Sequence, residues 1–377
     1  MVQTERVGDS VIDAVRGAAD DIERNCHLPD TVVDALHRSG VNRFFIPASL
    51  GGVEARVADA MEVMERIAAV NGSAGWCAAI GAGSNVFAGY LPRSAAAAIF
   101  ADPDQANATM FAPVGRVTGD QGRAILTGRW PFTSNCLHSA WAGLGASFHN
   151  SDGVDPVPHV VFVPLSRLVI EDTWDAVGLR GTGSHHVVAA DVPIDREQSA
   201  RFSDRPWPDG ALWRLPLYTI LFPTLVAVVL GIARGAVDEV ARQAREGRNA
   251  RRGELTDAPI SLAELALADT RLRAARAGLQ DAVNQAHALA ERGEPVGRQL
   301  QARIFLAGLQ ACDTSVEVTS TAHHLGGGAA AYRESLLLRA LGDVQTARQH
   351  LLFSHHHLAV LGKLVAGLDV AYPPYVM

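Results

Sequence analysis

Cysteine is scarce in this chain: four residues among 377, at Cys26, Cys77, Cys136 and Cys312, with no CxxC pair. That spacing supplies neither the paired ligands of a zinc site nor a disulfide framework, and it fits a reducing cytoplasm. Basic charge is also short. Acidic residues outnumber Lys and Arg by 40 to 33, for a net charge of -7, so the electrostatic footprint of a nucleic-acid binder is missing. No strand-to-helix Gly-x-Gly-x-x-Gly turn is evident, and "GLGAS" is not one, so no NAD(P)H cradle is expected. The most apolar run, "LPLYTILFPTLVAVVLGIA", approaches bilayer length. It contains Pro216 and Pro223 and leads into a polar amphipathic segment, which predicts a buried core helix and no membrane span. The amino terminus carries acids and lacks a long apolar core, so it reads as an amphipathic helix and not a secretory signal.

What is present is a change of period along the chain. To about residue 105 the apolar residues recur at three- and four-residue spacing, with breaks at Gly40 and at Asn71-Gly72. From 106 to 197, short β-branched or alternating runs ("GRAILTGRWPF", "WAGLGASF", "HVVFVPL", "RLVIED", "HHVVAADVPI") predict a small antiparallel barrel or sandwich. From 198 to 377 the helical period returns in four long segments, near 211–246, 259–292, 297–325 and 333–368, which predict an antiparallel bundle. The expected architecture is therefore mainly α with a central β domain: a helical domain over 1–105, a β domain over 106–197 and a bundle over 198–377.

Aromatics make up only 6% of the chain, yet "GRWPFTSNCLHSAW" gathers two tryptophans and a phenylalanine in one run. This run resembles the Gly-x-Trp-x-Phe-x-Ser signature, with a later His-x-x-Trp, of the two-component flavin-dependent monooxygenases built on the acyl-CoA dehydrogenase fold. "GVNRFFIPASLGG" followed by "NGSAGW", "WDAVGLRGTGSHHVVAADVPI" and "HHLGGGAAAYRESLLLRALGDVQTARQH" resemble that family's other segments, in the family's order. The resemblance implies an acyl-CoA dehydrogenase-like layout of helical domain, antiparallel β-barrel and four-helix bundle. It also implies a reaction. Reduced FMN or FAD and molecular oxygen form a flavin C4a-hydroperoxide that hydroxylates a phenolic or polycyclic substrate.

The resemblance assigns roles residue by residue. Ser134 and His350 would flank the reacting edge, and Trp130, Phe132, Arg180, Thr182, Ser184, Gly326 and Gly327 would hold the flavin. If Trp130 and Phe132 alternate on one strand, both face one way, with Ser134 on the same side. The blander reading of that run is a half-buried strand with an aromatic face. "GTGS" taken alone is a turn, and the triple glycine at 326–328 is either a cofactor contact or a helix connection. Trp76 and His138 are expected in the substrate pocket, with core packing as the alternative for Trp76.

The last helix decides the reaction class. Between Asp343 and Asp369 there is no Asp or Glu, where acyl-CoA dehydrogenases keep a carboxylate base. His350 matches the oxygenase branch's histidine, and imidazole suits proton transfer with a phenol near neutral pH. His355–His357 read as helix surface or subunit contact. Arg251 and Arg252 read as a solvated loop or a flavin-phosphate contact. Three departures from the family pattern stand out: Asn135 in place of glycine, Gly342-Asp343 in place of Arg-Asp, and Ser84 and Asn85 where a histidine is expected. With no nicotinamide site, a separate NAD(P)H:flavin reductase is the implied partner, in the cytoplasm, with a homotetramer as the family's usual assembly. The alternatives are an acyl-CoA dehydrogenase using Glu239, Glu246 or Glu254 as base, an N-hydroxylase of the same fold, and a catalytically silent assembly protein.

Overall fold

Helices, then strands, then helices follow one another along the chain, as the periodicity predicts. The computed structural model describes residues 2–119, 124–150, 153–246, 259–368 and 370. Five helices lead: α1 (Val2–Asn25), α2 (Asp30–Ser39), α3 (Val57–Val70), α4 (Gly72–Asn85) and α5 (Arg93–Ile99). Gly40, in the left-handed region at φ 74°, closes α2. Asn71 breaks the chain between α3 and α4 because its Oδ1 accepts from the Ala74 N–H at 3.0 Å, an N-cap that starts a new helix.

The central layer is a sheet of β1 (Ala108–Thr118), β2 (Ala124–Trp130), β3 (Trp141–Asn150), β4 (Gly153–Val154), β5 (His159–Pro164), β6 (Val169–Glu171), β7 (His186–Ile194) and β8 (Ser199–Arg201). Its order is β6-β7-β2-β1-β3-β5-β8, with β4 on β3. The expected closed antiparallel barrel is not what forms. The sheet is open and mixed, because β1 and β3 run parallel, with Ala108 opposite Ala142 and Thr118 opposite His149. Strand β1 also escaped the alternation pattern. Its register shifts between Met110 and Gly115, a stretch containing Pro113, which has no N–H to give to a ladder.

Helices α6 (Tyr218–Arg245), α7 (Pro259–Glu291), α8 (Arg298–Leu325), α9 (Leu336–Ala347) and α10 (Leu358–Val365) complete the chain. The apolar run forms α6, whose most hydrophobic window is 94% buried inside the protein, so burial against protein accounts for its composition. The last of the four expected helical segments is broken. After α9 come two 3-10 turns, Leu351–Phe353 and His355–His357, before α10. Side-chain acceptors start both turns: His350 Nδ1 takes the Leu352 N–H at 3.3 Å and Ser354 Oγ takes the His356 N–H at 3.3 Å. Such local bonds compete with the helix ladder and stop it. Glu254, Arg251 and Arg252 lie outside the described residues.

Candidate active site

Four segments converge: α4, the connection after β2, the turn at 178–184 and the residues that follow α9. From α4 come Ser73 and Trp76, one helical turn apart and both buried. From the connection after β2 come Ser134 and Asn135, also buried. Asn135 has φ 68°, in the left-handed region where asparagine is the best substitute for glycine, and its Nδ2 donates to the Cys77 carbonyl at 2.9 Å. The side chain therefore ties this connection to α4 at a position where the family has glycine.

The expected alternation of Trp130, Phe132 and Ser134 does not hold. Trp130 is the last residue of β2, and Phe132 leaves the strand with φ 60°. Trp130 is fully buried in the sheet's own core, with its Nε1 donating to the Gly145 carbonyl at 2.8 Å. A Cβ on Gly115 would lie 2.1 Å from its ring, so the glycine makes the room the indole occupies. Phe132 is 62% exposed and meets Trp174 and His186 edge-on, with ring centroids 6.3 and 6.2 Å away.

The third segment, Gly178–Ser184, is docked on both helices. Gly178 and Gly342 touch backbone to backbone: a Cβ on Gly178 would lie 2.1 Å from the Gly342 carbonyl carbon. That contact accounts for the glycine at 342, since a side chain there would meet the Val177 carbonyl. Asp343, buried in α9, accepts the Leu179 N–H at 2.5 Å and also the Gly72 N–H at the start of α4. Burial, followed by the nearby Glu23 charge, pushes its carboxyl up to about 7, against the lowering effect of the two N–H donors and Arg339. The Gly181 N–H donates to Ser73 Oγ at 3.0 Å. Sequence reading missed Asp343 and Ser73 as organisers. The available signal was a single carboxylate inside the apolar stripe "LLLRALGDV".

Side chains from the first three segments then join in one chain. Trp76 Nε1 donates to Ser134 Oγ at 3.2 Å, Ser134 and Ser184 hydroxyls lie 2.7 Å apart, Ser184 and Thr182 hydroxyls 2.7 Å apart, and Thr182 Oγ1 donates to the Leu179 carbonyl at 2.8 Å. The His350 ring meets the Trp76 ring edge-on at 5.6 Å and Phe353 at 5.7 Å. Ser134 and His350 thus share Trp76 as a common neighbour, across 216 residues of sequence. His350 is half-buried, and desolvation pushes its imidazole down to about 4, so it is neutral near pH 7. Because Nδ1 accepts from Leu352, the proton of that neutral ring sits on Nε2.

Other expected residues make contacts of their own. Arg180 directs its donors to the Glu23 and Ala176 carbonyls and the Cys26 sulfur, at 3.2, 2.9 and 3.0 Å, and so binds α1. His138 lines a small cavity of about 10 Å³ with His37, Asn42, Cys77 and Asn135. Desolvation, then the neighbouring His27 ring, pushes His138 down to about 4. Gly326 packs on Leu337 at the start of α9, and Gly327 follows with φ 60°. They stand one length of α9, 12 residues or about 18 Å, from the end that carries His350. Ser84 and Asn85 bond Thr109, Asn42 and Asn107, linking α4 to β1. Glu239 and Glu246 both accept bonds from Arg242, at 2.6 and 2.7 Å.

The donor set fits a flat heteroaromatic ring with a polar edge. Hydroxyls and a neutral imidazole surround an indole, and Phe132, Val177 and Leu351, at 62%, 85% and 68% exposure, leave uncovered apolar surface after β2, before the 178–184 turn and after α9. Residues 224–355 match the family described as acyl-CoA dehydrogenase, C-terminal domain. The indole-3-acetate monooxygenase of Pseudomonas putida is 34% identical over 91% of this chain and 88% of that protein. The flavin-dependent monooxygenase oxygenase subunit HsaA of Rhodococcus jostii is 29% identical over 91% of this chain and 92% of its own length. XiaF from Streptomyces sp., solved with FADH2 and glycerol, superposes with a TM-score of 0.88 at 26% identity, over 98% of this chain and 96% of that one. These likenesses favour an oxygenase over the dehydrogenase alternative, in keeping with the histidine at 350: the chain belongs to the flavin-dependent monooxygenases of the acyl-CoA dehydrogenase fold.

Proposed function

We propose that this protein is the oxygenase component of a two-component system and hydroxylates a phenolic or polycyclic aromatic small molecule. The observation that carries the reading is the continuity Ser134–Trp76–His350, which puts a hydroxyl and a neutral imidazole on one indole. Reduced FMN or FAD, when bound, supplies the electrons that activate dioxygen for transfer to the ring. The chain's own residues do the rest. Ser134, Thr182 and Ser184 form the polar edge against which the cofactor is oriented, and Phe132 offers an apolar face. Trp130 supports the sheet beneath them. Gly326 and Gly327 are assigned to the far end of an extended cofactor.

His350 meets the substrate. In the tautomer fixed by Leu352, Nε2–H donates to a substrate oxygen and holds the ring in place. Taking a proton at Nε2 requires the ring proton to shift to Nδ1, at the loss of one long hydrogen bond worth about 1 kcal/mol or less. Low basicity keeps His350 neutral throughout the physiological range, so both roles remain open to it at pH 7. Trp76 forms the wall between cofactor and substrate and excludes water from both.

The divisions 1–105, 106–197 and 198–377 serve as helical, β and bundle domains around this site, except that β8, past 197, belongs with the β domain. Electrons come from a separate NAD(P)H:flavin reductase, in the cytoplasm, and the bundle is the surface for a homotetramer. The test is anaerobic titration with reduced FMN and FADH2, followed by oxygen and a panel of phenols and indoles. Hydroxylated product from at least one substrate, lost in His350→Ala, supports the reading. Product formation by His350→Ala at the wild-type rate would overturn it.

A further inference from the structure

The hydroxyl chain behind Trp76 has a direction, and the direction follows from its Leu179 end. The Leu179 carbonyl can only accept, so Thr182 donates to it. With that proton engaged, Thr182 Oγ1 accepts from Ser184, and Ser184 Oγ in turn accepts from Ser134. At the other end the Trp76 indole can only donate, and Ser134 receives it. The Leu179 end sets the direction, and acceptance from Trp76 is compatible with it. Ser134 points its proton inward and has one lone pair left for a ligand.

Reversal is inexpensive. If Thr182 turns its proton to Ser184, and Ser184 to Ser134, the Ser134 proton is released outward. The Leu179 carbonyl keeps a donor in that state, because Trp174 Nε1 also bonds it at 3.0 Å. The bias toward the inward state is therefore about one neutral hydrogen bond.

A flavin reads that bias chemically. Reduced flavin carries a hydrogen on N5 and needs an acceptor there, whereas oxidised flavin has a bare N5 lone pair and needs a donor. We propose that Thr182 and Ser184 are positioning residues that set the hydrogen-bond polarity of Ser134, so that the resting site selects reduced over oxidised flavin. This inference rests on the reading above that the N5 edge of the flavin meets Ser134.

The experiment measures dissociation constants of oxidised FMN and FAD, and of both reduced anaerobically, for the full chain and its variants. Thr182→Val removes the acceptor for Ser184, and Ser184→Ala removes the inward acceptor for Ser134; each releases the Ser134 proton outward. Each variant is expected to lower the ratio of oxidised to reduced dissociation constants about five-fold. Thr182→Ser keeps the hydroxyl and is expected to keep the wild-type ratio. A merely loosened site weakens both redox states together and leaves the ratio alone, which would overturn the proposal. Ser134→Ala separates the two levels of the argument. If it weakens reduced-flavin binding while Thr182→Val and Ser184→Ala leave the ratio unchanged, the polarity relay fails and the flavin site stands. If Ser134→Ala alters neither redox state's binding, Ser134 does not meet the flavin and both fail.

Discussion

Asp343→Asn should flatten the pH dependence of stability, so that the variant gains on wild type as pH rises from 5 to 8.5. The carboxyl is buried at the junction of α9, α4 and the Leu179 turn, and its folded value of about 7 lies well above the ordinary 3.8. A raised carboxylate value means the folded state holds the proton more tightly than the unfolded chain. Its contribution to stability is therefore full below about pH 4, declines as pH rises toward 7 and is lost above that. The difference corresponds to roughly 4 kcal/mol. Asparagine keeps an acceptor for the Leu179 N–H but sets an amide donor against the Gly72 N–H, a pH-independent cost of about 1–3 kcal/mol. Between pH 5 and pH 8.5 the wild type loses roughly 3 kcal/mol that the variant keeps, so the variant gains that much on wild type across the range. For a chain of 377 residues the unfolding entropy is on the order of 0.8 kcal/mol/K, so this amounts to a relative Tm gain of about 4 °C. Thermal melts of both proteins from pH 5 to 8.5 provide the assay. A Tm difference that stays constant across that range would refute the strained-carboxylate account.

Three further outcomes follow from the same geometry. Gly178→Ala drives a methyl into the Gly342 backbone, where neither chain can yield, and should cost roughly 3 kcal/mol in denaturant unfolding. Trp130→Ala should cost about 3–5 kcal/mol through the sheet core, while Phe132→Ala should change stability by no more than about 0.5 kcal/mol and yet weaken flavin binding by fluorescence titration. His350, pushed down to about 4, adds stability that is full above about pH 6.5 and lost as pH falls toward 4; His350→Gln should flatten that part of the pH–stability curve.

Much of this protein is legible from periodicity and composition, because helices and strands leave local signatures. Apolar residues at three- and four-residue spacing mark α2, α3 and α6, and turn residues mark their ends. The four motifs and the missing carboxylate after Asp343 point to the oxygenase family without any coordinates. Local signals fail where non-local contacts decide. The parallel pairing of β1 with β3 and the open edge of the sheet depend on partners far along the chain, and Pro113 hid β1 from an alternation test. The positive φ at Phe132 turned a two-residue period into a corner, so Trp130 and Phe132 parted company.

The sequence by itself determined the order of helical, β and helical blocks, the burial of the apolar run and the lack of a carboxylate between Asp343 and Asp369, since each depends on residue type and near neighbours. Tertiary structure alone decided that Trp76 stands between Ser134 and His350, that the Ser134, Ser184 and Thr182 hydroxyls form one chain, and that Asp343 clamps two helices to one turn. Hydrogen bonds act over about 3 Å, and only the folded chain brings residues so distant in sequence to that range.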